Sequence, residues 1–121
     1  MSEDATLTEL LTRLDAIANA PLTGLQREVR AQGLLAESGL TVSDVVRAMR
    51  RHNLPWNVRK ALECGVEVDT WLEAARIVNQ SPRESLTDLL DRIHQMEAAV
   101  HMLRAGYIAG RDAHGRLVWS H

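Results

Sequence analysis

The sequence predicts an all-α fold, in which a compact helical domain is followed by a long C-terminal helix and a terminal β-hairpin. Three observations support this prediction. The chain has no Phe, one Tyr and three Trp, and its apolar residues are mainly Leu, Ala, Val and Ile, as is typical of helices. Apolar residues recur at spacings of three and four along most of the chain. Capping residues, prolines and glycines divide these runs into segments of helix length.

Length and composition limit the class of protein. The 121 residues suffice for one domain whose core needs neither metal nor disulfide support. We assign residues 1–90 to the helical domain and residues 82–121 to a long helix plus hairpin that extend it. The single cysteine, Cys64, excludes an internal disulfide. No apolar run approaches the roughly 20 residues that cross a bilayer, and the N-terminus is acidic where a signal peptide is basic. We therefore expect a cytoplasmic protein that uses no cofactor.

The first part of the chain predicts three helices. A capping box at Thr6 opens the first helix, which ends before Pro21. A second helix is predicted from about Leu25 to Ala36. Thr41 caps the third. The inward residues of this third helix are Val42, Val45, Val46 and Met49.

The next segments predict two short helices and the start of a long one. Proline disfavours a helical residue before it and suits the first helical turn after it, so a short helix should begin at Pro55 and continue to about Glu63. Asp69 is expected to cap the following helix. Ser81-Pro82-Arg83-Glu84 combines a capping hydroxyl, Pro and Glu, and predicts the start of the longest helix.

The longest helix carries apolar residues at alternating spacings of three and four, which we name the C-terminal seam. These residues are Leu86, Leu89, Ile93, Met96, Val100 and Leu103. The pattern is that of a heptad repeat, so we predict homodimerisation through the seam. Because the seam is shorter than the three to four heptads of a secure coiled-coil prediction, packing inside the chain is the alternative.

The last residues predict a β-hairpin. Gly106 ends the long helix, and the apolar runs at residues 107–109 and 117–119 flank a segment rich in turn residues. An isolated hairpin is marginally stable in water, so we expect it to pack on the helices or on a partner.

Charge is distributed unevenly along the chain. The net charge is −2, which does not suggest a general polyanion binder. Residues 41–60 nevertheless hold five basic residues against Asp44 alone, whereas residues 61–100 are predominantly acidic. The basic residues are Arg47, Arg50, Arg51, Arg59 and Lys60. We therefore predict one basic face on an acidic body.

The segment of about residues 25–90 resembles a divergent Cro/repressor-type helix-turn-helix DNA-binding domain. The matching features are the start at Gly39-Leu40-Thr41, the helix with Val45, Val46 and Met49, the close at Leu62-Glu63-Cys64-Gly65, and Val68-Asp69-Thr70-Trp71-Leu72 leading to Ser81-Pro82 and Leu86. Between Thr41 and Gly65 the chain is a few residues longer than the usual pattern of that family.

The resemblance implies a function and a site. It implies a dimeric, sequence-specific transcriptional regulator of double-stranded DNA, with residues 55–63 as the recognition helix. Asn can read adenine, and Arg or Lys can read guanine, so the expected groove contacts are Asn57, Arg59 and Lys60. The expected phosphate contacts are Arg47, Arg50 and Arg51.

Other interpretations remain open. A helical adaptor would bind a protein partner through the C-terminal seam or the hairpin. A winged-helix arrangement would place Arg111, His114 and Arg116 on a wing. Trp56 is expected to pack in the core, with an exposed contact to a partner as its alternative.

Catalytic and metal-binding patterns are weak. The sequence has no Gly-rich loop after a strand, no nucleophile elbow and no carboxylate pair in a recognisable acid/base context, so we do not expect an enzyme. His94, Glu97 and His101 could share one helical face, but no HExxH motif or cysteine pair accompanies them. We therefore predict no metal site.

Overall fold

A computed structural model describes residues 3–51, 54–80 and 83–121. Within these ranges the chain forms six α-helices followed by one antiparallel pair of strands. The elements are α1 Glu3–Ala18, α2 Gly24–Ser38, α3 Val42–Met49, α4 Pro55–Glu63, α5 Val68–Val78, α6 Leu86–Arg104, β1 Ile108–Arg111 and β2 Leu117–Ser120. The prediction of a mostly helical chain with a long last helix and a terminal hairpin is confirmed.

Side-chain caps begin three of these helices. Thr23 forms a capping box with Gln26 at the start of α2, and Thr41 forms one with Asp44 at the start of α3. The hydrogen bond from the Thr41 backbone N–H lowers the pKa of the Asp44 carboxyl. At α6, the Ser85 hydroxyl accepts a hydrogen bond from the backbone N–H of Asp88 at 3.1 Å. These caps satisfy N–H groups that have no partner within the helix.

Three predicted helix starts differ from the structure. Thr6 lies inside α1, which begins at Glu3. Asp69 lies inside α5, whose N-cap is Glu67 and has no side-chain cap. The long helix begins after Ser85 rather than at residues 81–84, of which Ser81 and Pro82 lie outside the described residues. The caps used at α5 and α6, Glu67 and Ser85, lie two and four residues from the predicted Asp69 and Ser81.

The core lies where α1 and α5 pack against α6. Leu11, Leu14, Trp71 and Leu89 are each fully buried there. Trp56 packs edge-on against Trp71, with ring centroids 6.0 Å apart, and is 3% exposed. The prediction that Trp56 belongs to the core is therefore confirmed.

The hairpin packs one face on the helices. Ala109 pairs with Trp119 across the strands, and Trp119 packs partly buried against the core. The Arg111 guanidinium donates a hydrogen bond to the Ile77 carbonyl at 2.6 Å and so joins β1 to the end of α5. Among the described helices, none has both the length and the apolarity that a membrane span requires.

Candidate nucleic-acid interface

The predicted helix-turn-helix pair consists of α3 and α4. Helix α3 packs against α6, and α4 packs against α5 and α1. The turn between α3 and α4 includes residues 52 and 53, which lie outside the described part of the chain. A short connection follows α4, where Gly65 adopts a φ of 65° and the Val66 N–H donates a hydrogen bond to the Ala61 carbonyl at 2.9 Å. Helix-turn-helix geometry for α3 and α4 thus stays a prediction.

The expected phosphate contacts lie together at the end of α3. Arg47, Arg50 and Arg51 are all exposed. Arg50 and Arg51 line a depression of about 70 Å³, and Arg76 from the last turn of α5 lines it too. We name Arg47, Arg50, Arg51 and Arg76 the arginine patch. The structure therefore brings two of the three predicted phosphate contacts, Arg50 and Arg51, to one depression and adds Arg76 to them. The third, Arg47, is exposed in the last turn of α3.

Sequence reasoning missed Arg76 because it stands in a predominantly acidic segment. Its guanidinium is held by Glu73, with the Nε atom 3.0 Å from a carboxylate oxygen. That hydrogen bond raises the pKa of Arg76. The only available signal was its position near the C-terminus of a helix, where a cation is favoured.

Carboxylates also border the arginine patch. The Arg50 Nη1 atom lies 3.9 Å from Glu84 Oε1, and both side chains are about half exposed. Exposed ion pairs of this kind are worth little, because water and salt screen them. Glu84 therefore contributes little to holding Arg50.

Asn57 is not exposed to a groove. It is 3% exposed, and its Oδ1 atom accepts a hydrogen bond from Trp71 Nε1 at 3.1 Å. An indole N–H in the core needs such an acceptor, since a buried donor without one is destabilising. The structure therefore buries Asn57, which satisfies Trp71 in the core and also lines the depression beside Arg50 and Arg51.

Lys60 is likewise a structural residue in this fold. Its side chain is 13% exposed, and its Nζ atom lies 2.5 Å from Asp15 and 3.7 Å from Glu97. Burial by itself lowers the pKa of Lys60, but the hydrogen bond and charge of Asp15 outweigh it and raise the pKa. Lys60 thus links α4 to α1 and α6.

Arg59 is the one expected groove contact that remains on the surface. Its side chain is 58% exposed, and its Nε atom lies 3.2 Å from Glu63. Its neighbours on the solvent face of α4 are apolar, since Val58 is 45% and Leu62 is 71% exposed. Of the three groove contacts predicted on α4, Arg59 is therefore the one whose side chain is exposed.

The C-terminal seam lies inside the chain. Its four central residues are at most 4% exposed, namely Leu89, Ile93, Met96 and Val100. Leu86 and Leu103 at its ends are partly buried against the same core. Because α6 packs against both α1 and α5, the alternative of internal packing describes these six residues. Their packing within the chain leaves them unavailable for the predicted dimer contact.

His94 in α6 and the two arginines of the hairpin have hydrogen-bond partners within the fold. His94 Nδ1 lies 2.8 Å from Asn19 Oδ1, and Glu97 lies near Lys60. On the hairpin, Arg116 Nε lies 2.9 Å from Asp112 Oδ2. The described His, Cys, Asp and Glu side chains form no group of three that could hold a metal ion.

Comparisons with known proteins give no relative for this chain. No protein-family model, no curated protein and no solved structure matches it. The resemblance to Cro/repressor-type domains therefore rests on the residues quoted for it.

Proposed function

We propose that the protein is a non-enzymatic DNA-binding regulator that holds double-stranded DNA by its backbone phosphates at the arginine patch. One observation carries the proposal: exposed arginines from two helices that are distant in sequence meet around one depression. Guanidinium groups suit this contact because their planar donors match the geometry of phosphate oxygens.

The balance of charge sets the expected strength of binding. The patch has four arginines, and carboxylates lie near three of them: Glu84 beside Arg50, Glu73 beside Arg76, and Asp44 close enough to Arg47 to interact electrostatically. Each phosphate contact releases counterions from DNA, so affinity should fall steeply as salt rises. With a net charge of −2 for the whole chain, we expect binding at low salt and little at high salt.

Helix α4 exposes few side chains that could read bases. Phosphate contacts position a protein on the duplex but carry no sequence information directly. Arg59 is the single exposed basic residue of α4, since Asn57 and Lys60 have partners within the fold. We therefore expect weaker discrimination among DNA sequences than the sequence resemblance implied.

The test is binding to a fluorescent random duplex across a salt series. Arg47→Ala should lower the magnitude of the salt slope by about one unit, since it removes one phosphate contact. Arg104→Ala is the matched control. Arg104 is an exposed arginine in the last turn of α6, whereas Arg50 of the patch lies beside Glu84, which precedes the first turn of that helix. Circular dichroism confirms that both variants fold. Absence of binding by the wild type at low salt would overturn the proposal, as would equal slopes for Arg47→Ala and the wild type.

A second candidate function is that of an adaptor for a protein partner. The observation in its favour is the outer face of the hairpin, where Ile108 is 65% and Val118 is 44% exposed. Exposed apolar side chains on a small sheet suit a protein contact. The same salt series separates the two functions, because an adaptor would leave the duplex unbound.

A further inference from the structure

Helix α2 has a second apolar face, which points to solvent. Leu25 is 72% and Val29 is 59% exposed, and Gly33 and Ala36 are exposed as well. Spacings of four, four and three place these four residues on one side of the helix. The opposite side enters the core through Ala31, Leu34 and Leu35. We name Leu25, Val29, Gly33 and Ala36 the α2 stripe.

Gly33 is unexplained by packing within the chain. Glycine in a helix interior is unfavourable because it loses more backbone freedom than alanine does. A Cβ atom at Gly33 would meet no atom within 4 Å among the described residues. Its space is therefore open to solvent, and a glycine there suits the close approach of another helix.

The exposed residues that flank the stripe carry no net charge. They are Gln26, Arg30, Gln32 and Glu37. Two are uncharged, and the other two have opposite signs. A face that carries net charge repels its own copy, whereas this face does not. The α2 stripe can therefore meet a second copy without net electrostatic repulsion.

We propose that the α2 stripe binds the α2 stripe of a second copy in an antiparallel helix pair. The large residues, Leu25 and Val29, lie in the N-terminal half of the stripe, and the small residues, Gly33 and Ala36, lie in the C-terminal half. An antiparallel twofold arrangement places Leu25 opposite Ala36 and Val29 opposite Gly33, so that each large side chain meets a small one. A parallel pair would instead oppose Leu25 to Leu25 and leave an empty space at Gly33.

Helix dipoles and twofold symmetry both favour the antiparallel pair. Antiparallel helices place the positive end of one macrodipole beside the negative end of the other. A twofold pair also uses the same surface on both copies, which is the commonest form of homodimer. One helix pair buries less than the roughly 1,200 Å² of a stable interface, so we expect a weak dimer. This dimer is independent of the proposed DNA contact, which uses α3 and α5.

The first test is sedimentation velocity from micromolar to near-millimolar protein. The wild type should associate as concentration rises, and Val29→Asp should weaken association at least tenfold by placing two carboxylates in the pair. Leu62→Asp is the matched control, since Leu62 is 71% exposed on another helix, and it should associate like the wild type. A monomeric wild type throughout this range would overturn the proposal. Equal loss in both variants would do the same.

The second test fixes the orientation of the pair by disulfide formation. In a Cys64→Ser background, Leu25→Cys and Ala36→Cys are oxidised separately and as a mixture. The antiparallel pair predicts a disulfide-linked dimer in the mixture, and little in either protein alone. Efficient linkage of Leu25→Cys to itself would indicate a parallel pair and contradict the proposed geometry. Absence of linkage in all three samples would contradict the α2 contact itself.

Discussion

The C-terminal seam and the α2 stripe are both apolar residues at helical spacing, and the fold treats them in opposite ways. In the seam, Leu89 and Ile93 are at most 1% exposed, whereas Leu25 and Val29 in the stripe are more than half exposed. The sequence predicted the seam as the self-association surface, because its apolar residues recur at the spacings of a heptad repeat. The structure instead buries the seam and leaves one apolar face of α2 exposed. Spacing therefore identifies an apolar face, but it does not identify what covers that face.

The two helices differ in how many neighbours surround them. Helix α6 packs against α1 and α5, and also contacts α2 and α3. Its first turns bury Leu90 and Arg92 besides the seam, and Arg92 reaches Asp88 at 2.6 Å. Helix α2 packs against α1 and α6 by one side only. Helix α6 lies at the centre of the fold, so its apolar seam packs within the chain. Helix α2 lies at the periphery, so one of its faces is exposed to solvent or to a partner.

The largest expected difference comes from placing a charge in each helix. Ile93→Asp should lower the free energy of unfolding by more than about 4 kcal/mol, because it buries a carboxylate without a partner. Val29→Asp should change it by less than about 0.5 kcal/mol, since the side chain is exposed. Urea unfolding at low micromolar concentration, followed by circular dichroism, measures both. A stable, folded Ile93→Asp protein would contradict the internal position of the seam.

The fold could be predicted because its signals are local. Apolar spacing and breakers gave the order of helices, and the Thr41 cap was correct because its partner Asp44 is three residues away. The start of the longest helix was wrong because two capping serines, Ser81 and Ser85, stand four residues apart. Local chemistry permits either, and the structure uses Ser85.

The site could be predicted only in part, because its buried members depend on distant residues. Arg47 and Arg51 lie on the surface, as charged side chains usually do. Asn57 and Lys60 are polar as well, but they face inward because Trp71 and Asp15 satisfy them. These partners are 14 and 45 residues away in sequence. A polar residue near a basic cluster therefore does not predict exposure.

Truncation of one leucine in each helix gives a smaller difference of the same sign. Leu89→Ala should reduce the free energy of unfolding by about 2–5 kcal/mol, because it leaves a cavity in the core. Leu25→Ala should change it by less than about 0.5 kcal/mol, because Leu25 is 72% exposed. The pair of variants is matched in chemistry, so urea midpoints compare burial directly. Similar losses in both variants would show that Leu25 is covered in solution.

The smallest expected effect is a gain in stability at Gly33. Gly33→Ala should raise the free energy of unfolding of the monomer by about 0.5–1 kcal/mol, because alanine restricts the unfolded chain and favours the helix. The new methyl group meets no atom within 4 Å in the described chain, so no steric loss offsets the gain. Urea unfolding at low micromolar concentration measures it, with Ala36→Gly as the opposite change on the same exposed face.

A loss of stability in Gly33→Ala at low concentration would contradict the open space at this position. Repeating the measurement at high protein concentration adds a second comparison. If the α2 stripes pair with Val29 opposite Gly33, the added methyl group crowds the partner's valine, and the gain should shrink as the dimer forms. A gain in stability that does not depend on protein concentration would contradict the proposed contact between Val29 of one copy and Gly33 of the other. Helix α2 would then be an ordinary exposed helix.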